Sequence, residues 1–145
     1  MSNKSVGSKF ENFVAETLSK YNIWVHLLTG NASGQPGDLI MVKHDTAYLV
    51  DCKVCKNNRF TLSRIEENQI LANEHWERCG NLDYMYFIAF NYDGGRELTE
   101  DDIVIVPLKI LLDIRNSGEK SVTKEWCVRY GKSGFGRKLT ISELF

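Results

Sequence analysis

The nonapeptide TAYLVDCKV, residues 46–54, constrains the fold more than any other part of the chain. Its β-branched and aromatic content reads as a strand. The run before it, DLIMV at 38–42, is separated from it only by the polar turn Lys43-His44-Asp45, so the two predict an antiparallel hairpin. Alternation along the second strand places Asp51 and Lys53 on one face, next to each other, inside an otherwise apolar segment. The plain account of such a pair is an ion pair on a sheet surface. The other account is a site.

The remaining elements follow from periodicity and punctuation. Phe10, Phe13, Val14, Thr17, Leu18 and Tyr21 fall on one face of an amphipathic helix over 8–21, with Ser8 and Glu11 in a capping-box pattern. IWVHLL, 23–28, reads as a strand, and TGNASGQPG after it as a loop. A second helix is predicted over 63–79, opened by Ser63 with Glu66 and closed by Gly80. Tyr84–Phe90 and IVIV, 103–106, are buried strands separated by the acidic loop NYDGGRELTEDD, and Pro107 starts a short helix through Leu112. WCVRY, 126–130, reads as a strand, GKSGFG as a turn and TISELF as a helical turn. The order predicts a mixed α/β or α+β fold in one domain spanning 1–145, with a core over about 5–112 and a tail, 116–145, that adds a strand and a helical turn.

Composition narrows the class. A chain of 145 residues with 43% hydrophobic and 26% charged content is the size of one globular domain with a single core. No apolar run is long enough to span a membrane, and the N-terminus lacks the apolar core of a signal peptide, so a cytoplasmic protein with free thiols is expected. The net charge of −1 supplies no global attraction for a polyanion. Local basic patches remain, with Arg129, Lys132, Arg137 and Lys138 near the C-terminus.

Two chemistries compete within LVDCKVCK. Cys52 and Cys55 form a CxxC, but their odd spacing on a strand sends the thiols to opposite faces. A zinc site needs further ligands, and Cys79 and Cys127 are isolated. Asp51 and Lys53 have better support, because Asp38 opens the partner strand after the turn residues Pro36 and Gly37 and can lie across from Asp51. Neighbouring carboxylates repel, and a divalent cation stabilises both in ionised form. A carboxylate-bound cation beside a lysine suits phosphodiester hydrolysis. Gln69 falls with Ile65, Ala72 and Trp76 on the inward stripe of the second helix, where a buried amide needs partners. His26 and His75 are lone histidines read as structural, and GKSGFG lacks the leading glycine of a phosphate loop.

The string Pro36-Gly37-Asp38 followed by Asp51-Cys52-Lys53 resembles the PD-(D/E)xK motif of the restriction-endonuclease-like nuclease superfamily. GSKFE at 7–11, NASGQPGD at 31–38 and FTLSRIEENQ at 60–69 resemble segments of Holliday-junction resolvases of the archaeal and RecU-like types. Gly37 stands where the motif often has proline, and Asp51 where glutamate is commoner. The resemblance covers about residues 5–112. It implies a restriction-endonuclease-like core, a central mixed sheet of about five strands flanked by helices. It further implies an Mg²⁺-dependent DNA endonuclease, with Mn²⁺ substituting, that nicks four-way junctions as a homodimer.

On this reading Glu11, Asp38 and Asp51, with the carbonyl of Cys52, hold metal; Lys53 assists water or the leaving phosphate; and Gln69 completes the catalytic set. Ser33 is an accessory residue of the loop, and Lys9, Lys56, Arg59, Lys132, Arg137 and Lys138 are expected to meet DNA. The same site would serve a restriction-like or repair nuclease on duplex or DNA ends, and the same fold a non-catalytic nucleic-acid-binding module.

Overall fold

The structure, a computed structural model, describes residues 2–28, 35–81, 84–132 and 141–145. The expected hairpin is its centre. Strands β2 (Leu39–Lys43) and β3 (Thr46–Val54) pair antiparallel with Lys43 opposite Thr46, leaving His44 and Asp45 as a two-residue turn. His44 adopts φ 57°, the positive value that a tight turn matching the strand twist requires.

β1 (Trp24–Leu27) adds to the outer side of β2. β5 (Met85–Ala89) pairs parallel with the far end of β3, and β6 (Ile103–Pro107) pairs antiparallel with β5. The result is a five-stranded mixed sheet, β1-β2-β3-β5-β6. β5, inside the sheet, and β6, at its edge, are both buried along their whole length, because helices cover both faces there.

Helix α1 (Asn3–Ser19) covers one face through Val6, Phe10, Val14 and Leu18, which meet Leu39, Met41, Val50 and Phe87. The other face is covered by α2 (Glu67–Arg78), α3 (Leu108–Asn116) and α4 (Lys124–Tyr130) over Leu49, Tyr86, Ile88 and Val104. A last turn, α5 (Ile141–Leu144), brings Phe145 onto Phe87 and Tyr48 on the α1 side. Among the described residues no helix is long and apolar enough to cross a membrane.

Three local expectations are corrected. α1 begins at Asn3 rather than Ser8, because the Ser2 hydroxyl accepts the Ser5 N–H at 3.2 Å. Ser8 and Glu11 therefore lie inside the helix and form no cap. α2 begins at Glu67 rather than Ser63. Leu62–Arg64 is a separate 3-10 turn, and the capping box is made by Glu66 with Gln69. WCVRY is helical, since the Thr123 side chain accepts the Trp126 N–H at 3.1 Å and Cys127 alone of that helix is buried. Short apolar runs do not distinguish strand from helix by pattern.

Finally, β4 (Arg59–Thr61) and β7 (Ser121–Thr123) form a separate two-stranded ribbon, each strand too short for an alternation to be visible. The corrected helix start is testable by urea unfolding: Ser2→Ala should cost about 1 kcal/mol, as loss of an N-cap does, while Ser8→Ala should change stability by less than about 0.5 kcal/mol.

Candidate active site

β3 outruns its hairpin partner. Leu39 pairs with Val50, so residues 51–54 continue past the start of β2 with one edge unpaired by a strand. Asp38 fills that edge: its N–H donates to Val50 O at 2.8 Å, and its Oδ2 accepts the Cys52 N–H at 2.7 Å. The side chain thereby stands across from Asp51. Gly37, before it, is buried against Tyr84, and a β-carbon there would lie 2.7 Å from Tyr84 Oη and 2.9 Å from Val50 O. The Tyr84 hydroxyl donates to Pro36 O and holds this turn down. Any other residue at position 37 would push Asp38 out of line.

Asp51 is 3% exposed. Its Oδ1 accepts the Gln69 Nε2–H at 2.9 Å, and Lys53 Nζ lies 3.0 Å from its Oδ2. That approach pairs the charges, and among the described residues the buried Oδ2 has no donor besides this ammonium. Lys53 also lies 4.0 Å from Glu66 Oε1, at the cap of α2.

Burial first, and then the charge of Asp38, raise the Asp51 carboxyl well above its ordinary range against the opposing pull of Lys53. Glu11 projects from α1 toward Asp38 and is pushed up to about 7, by burial and then by the charge of Asp38 and a hydrogen bond with it, with Lys53 opposing. Two carboxyls share a hydrogen bond only when one carries a proton. The metal-free site is thus a row of carboxyls, Glu11 to Asp38 to Asp51, that repel unless something positive lies between them.

All of these residues open onto one cleft of about 930 Å³. Glu11, Asp38, Asp51, Cys52, Lys53 and Gln69 line it together, as do Lys56 and Arg59. Lys9 does not. It is two residues from Glu11, about 200° around the helix, and borders a separate groove with Glu16 and Glu97. Lys132 is also elsewhere, its ammonium over the rings of Phe145 and Tyr48 and 3.4 Å from Leu144 O. Ser33, Arg137 and Lys138 lie outside the described residues.

Two cations of the cleft were missed by sequence reasoning. Lys4 shares the face of Gly7 and Glu11 at helical spacing, a signal hidden by starting the helix at Ser8. Arg64 donates to Val54 O at 3.0 Å and rests on the Phe60 ring, and no pattern in the sequence announces it. Gln69 does not present its amide to the cleft as a free group. Its Nε2 is committed to Asp51, and its Oε1 accepts from the Tyr86 hydroxyl and from the Glu66 N–H.

The cysteines divide as strand parity requires, Cys52 to the α1 side and Cys55 to the other. Cys55 is buried and Cys52 half-buried. Burial, followed by the surrounding carboxylates, pushes the Cys52 thiol up, which makes it a poor thiolate ligand or nucleophile.

The donor set around Asp38 is carboxylate oxygen, the chemistry of a hard divalent cation. Among the described residues, no group of three or more His, Cys, Asp or Glu is arranged as a finished metal cage. The clustered carboxyls of Glu11, Asp38 and Asp51, against which Lys53 sets a single positive charge, are nevertheless what a divalent cation would satisfy, so the residues fit one.

The architecture is mixed α/β with a five-stranded sheet, a fold shared with a solved structure. Among solved structures it matches Hjc, a Holliday junction resolvase from the archaeal hyperthermophile Archaeoglobus fulgidus, with a TM-score of 0.61 over 94% of this chain and 95% of that one. The two are 13% identical, a likeness of fold. No protein-family model matches the sequence, and no curated protein matches it either.

The raised carboxyls set a sign for pH dependence. Groups whose folded values lie above their unfolded ones contribute stability that is fully present below the unfolded value and lost as pH rises through the folded one. In chelator, the protein should melt at a lower temperature at pH 7.5 than at pH 5, and Glu11→Gln should reduce that difference. Separately, Gly37→Ala should destabilise by about 1–3 kcal/mol through overpacking against backbone, measured by denaturant unfolding.

Proposed function

We propose that this chain is an Mg²⁺-dependent, structure-selective DNA endonuclease of the Holliday-junction resolvase type, working as a homodimer. The observation that carries the reading is the buried Asp51–Lys53 pair facing Asp38, where β3 runs past the start of β2, in a cleft lined by Lys4, Lys56, Arg59 and Arg64. A buried carboxylate with one oxygen lacking a donor besides the paired ammonium is costly to a fold. It is retained where chemistry uses it.

Glu11, Asp38 and Asp51, with the carbonyl of Cys52, would hold the metal, and Mn²⁺ would serve in its place. When bound, the cation polarises the scissile phosphate and lowers the pKa of the attacking water. Lys53, held 3.0 Å from Asp51, offers its ammonium to the charge that develops on the phosphate or the leaving oxygen. The rim cations receive the flanking phosphates, contacts that orient the backbone without reading bases. A four-way junction presents two equivalent strands, and a two-fold dimer presents two such clefts.

Incubation with a synthetic four-way junction, a linear duplex and a flap, in Mg²⁺ and in EDTA, tests the reading. Paired symmetric nicks on the junction, abolished by EDTA, are the expected result. Cleavage of duplex or ends with the junction spared would make it a restriction-like or repair nuclease, and no cleavage of any substrate in metal would sink the enzyme. Asp51→Asn and Lys53→Ala should each lower the nicking rate by at least about 10²–10³-fold while junction binding in EDTA persists.

A further inference from the structure

We infer that Tyr86 is a positioning residue for the metal-binding carboxylate: through Gln69 it determines which oxygen of Asp51 is held by the amide and which faces Lys53. The inference rests on the metal-site reading above and deepens it. Asp51 and Tyr86 are direct neighbours across the parallel β3–β5 pair. Tyr86 is wholly buried, its ring edge-on to Phe60 at 6.1 Å and tilted against Tyr84 at 5.9 Å, so its hydroxyl has little freedom. That hydroxyl donates to Gln69 Oε1.

The sense of the Gln69 amide is decided by its other neighbours. The Glu66 N–H, a donor only, lies 3.4 Å from the same Oε1, and the Asp51 carboxylate, an acceptor when ionised, lies 2.9 Å from Nε2. Reversing the amide would set donor against donor and oxygen against carboxylate. The Glu66 contact is long, however, so without the tyrosine hydroxyl little would hold the oxygen end in place.

The chain of bonds commits Asp51 Oδ1 to Gln69 and leaves Oδ2 to face the Lys53 ammonium. The same tyrosine ring lies 5.7 Å from Lys53 Nζ. One rigid side chain of β5 thus touches both functional candidates of β3: its face meets the ammonium, and its hydroxyl acts on the carboxylate through an amide. Gln69 is 4% exposed and Asp51 3%, so water does not replace a lost bond cheaply.

The test is Mn²⁺ affinity of the whole chain by titration calorimetry, for wild type, Tyr86→Phe, Gln69→Ala and the double variant. Phenylalanine keeps the ring and its packing and removes only the hydroxyl. Tyr86→Phe should weaken Mn²⁺ binding by about 10–100-fold, the usual effect of losing a partner that orients a metal ligand, with junction binding in EDTA unchanged. Because the tyrosine acts through the glutamine, the double variant should bind no more weakly than Gln69→Ala alone.

A folded Tyr86→Phe with wild-type Mn²⁺ affinity, or losses that simply add, would overturn the inference, as would a wild type that binds no Mn²⁺. Should Tyr86→Phe not fold, the Gln69 side-chain amide protons of the wild type decide: slow exchange with solvent supports the lock, and rapid exchange refutes it. Mn²⁺ binding with the predicted coupling but no cleavage of any DNA would remove the nuclease reading and leave the positioning role intact.

Discussion

The parallel pairing of β3 with β5 is the constraint from which the rest of the structure follows. Val50–Val54 pair with Met85–Ala89 in the same direction, which no tight turn can join, so the chain must leave the sheet and return by a crossover. That crossover contains β4, the 3-10 turn and α2. It is laid over the face of β3 that holds Asp51 and Lys53, and it delivers Arg59, Arg64, Glu66 and Gln69 to their side. The antiparallel hairpin with β2 brings Asp38 from the opposite edge. The site is the place where a parallel and an antiparallel neighbour of one strand meet.

The Asp51–Lys53 pair has the character of a site more than of a fold-stabilising contact. Removing two charges from water costs several kcal/mol per ion, and replacing such a pair with well-packed apolar residues is often neutral or stabilising. Among the described residues Gln69 donates to one oxygen of the Asp51 carboxylate, and the other has the Lys53 ammonium at 3.0 Å. The neighbouring carboxyls of Asp38 and Glu11 worsen the electrostatics rather than relieve them. By contrast, Asp102 is doubly hydrogen-bonded by Arg96 and receives the Thr99 N–H as well. Burial opposes its charge, but these bonds outweigh that and hold its carboxyl below the ordinary value. One carboxylate is fully satisfied and structural; the other is left short.

The C-terminal segment, without an assigned purpose in the sequence, braces the cleft. β7 pairs with β4, Leu62 N–H donates to Lys120 O, and Asn58 and Arg59 bond Glu125 and Ser121. These contacts hold the stretch that carries Lys56 and Arg59 against the body. A loop between two distant strands would otherwise present its cations on mobile backbone.

The sequence by itself determined the strands of the five-stranded sheet, because alternation and apolar runs report burial directly: β1, the hairpin, β5 and β6 stand where the pattern puts them, whereas the three-residue β4 and β7 left no readable pattern. It also determined that Asp51 and Lys53 share a face and that the two cysteines of CxxC do not, since strand parity is a local property. Helix starts were less legible. Ser8 with Glu11 and Ser63 with Glu66 fit a cap pattern that other residues actually fulfil, and only the backbone geometry tells them apart. What the tertiary structure alone decided is the company those residues keep. Lys9 and Lys132 face away from the cleft while Lys4 and Arg64 enter it, and Tyr86, an ordinary aromatic in an apolar strand, reaches Gln69 because the crossover lays α2 over β5. Such contacts join residues far apart in the chain, and no local period encodes them.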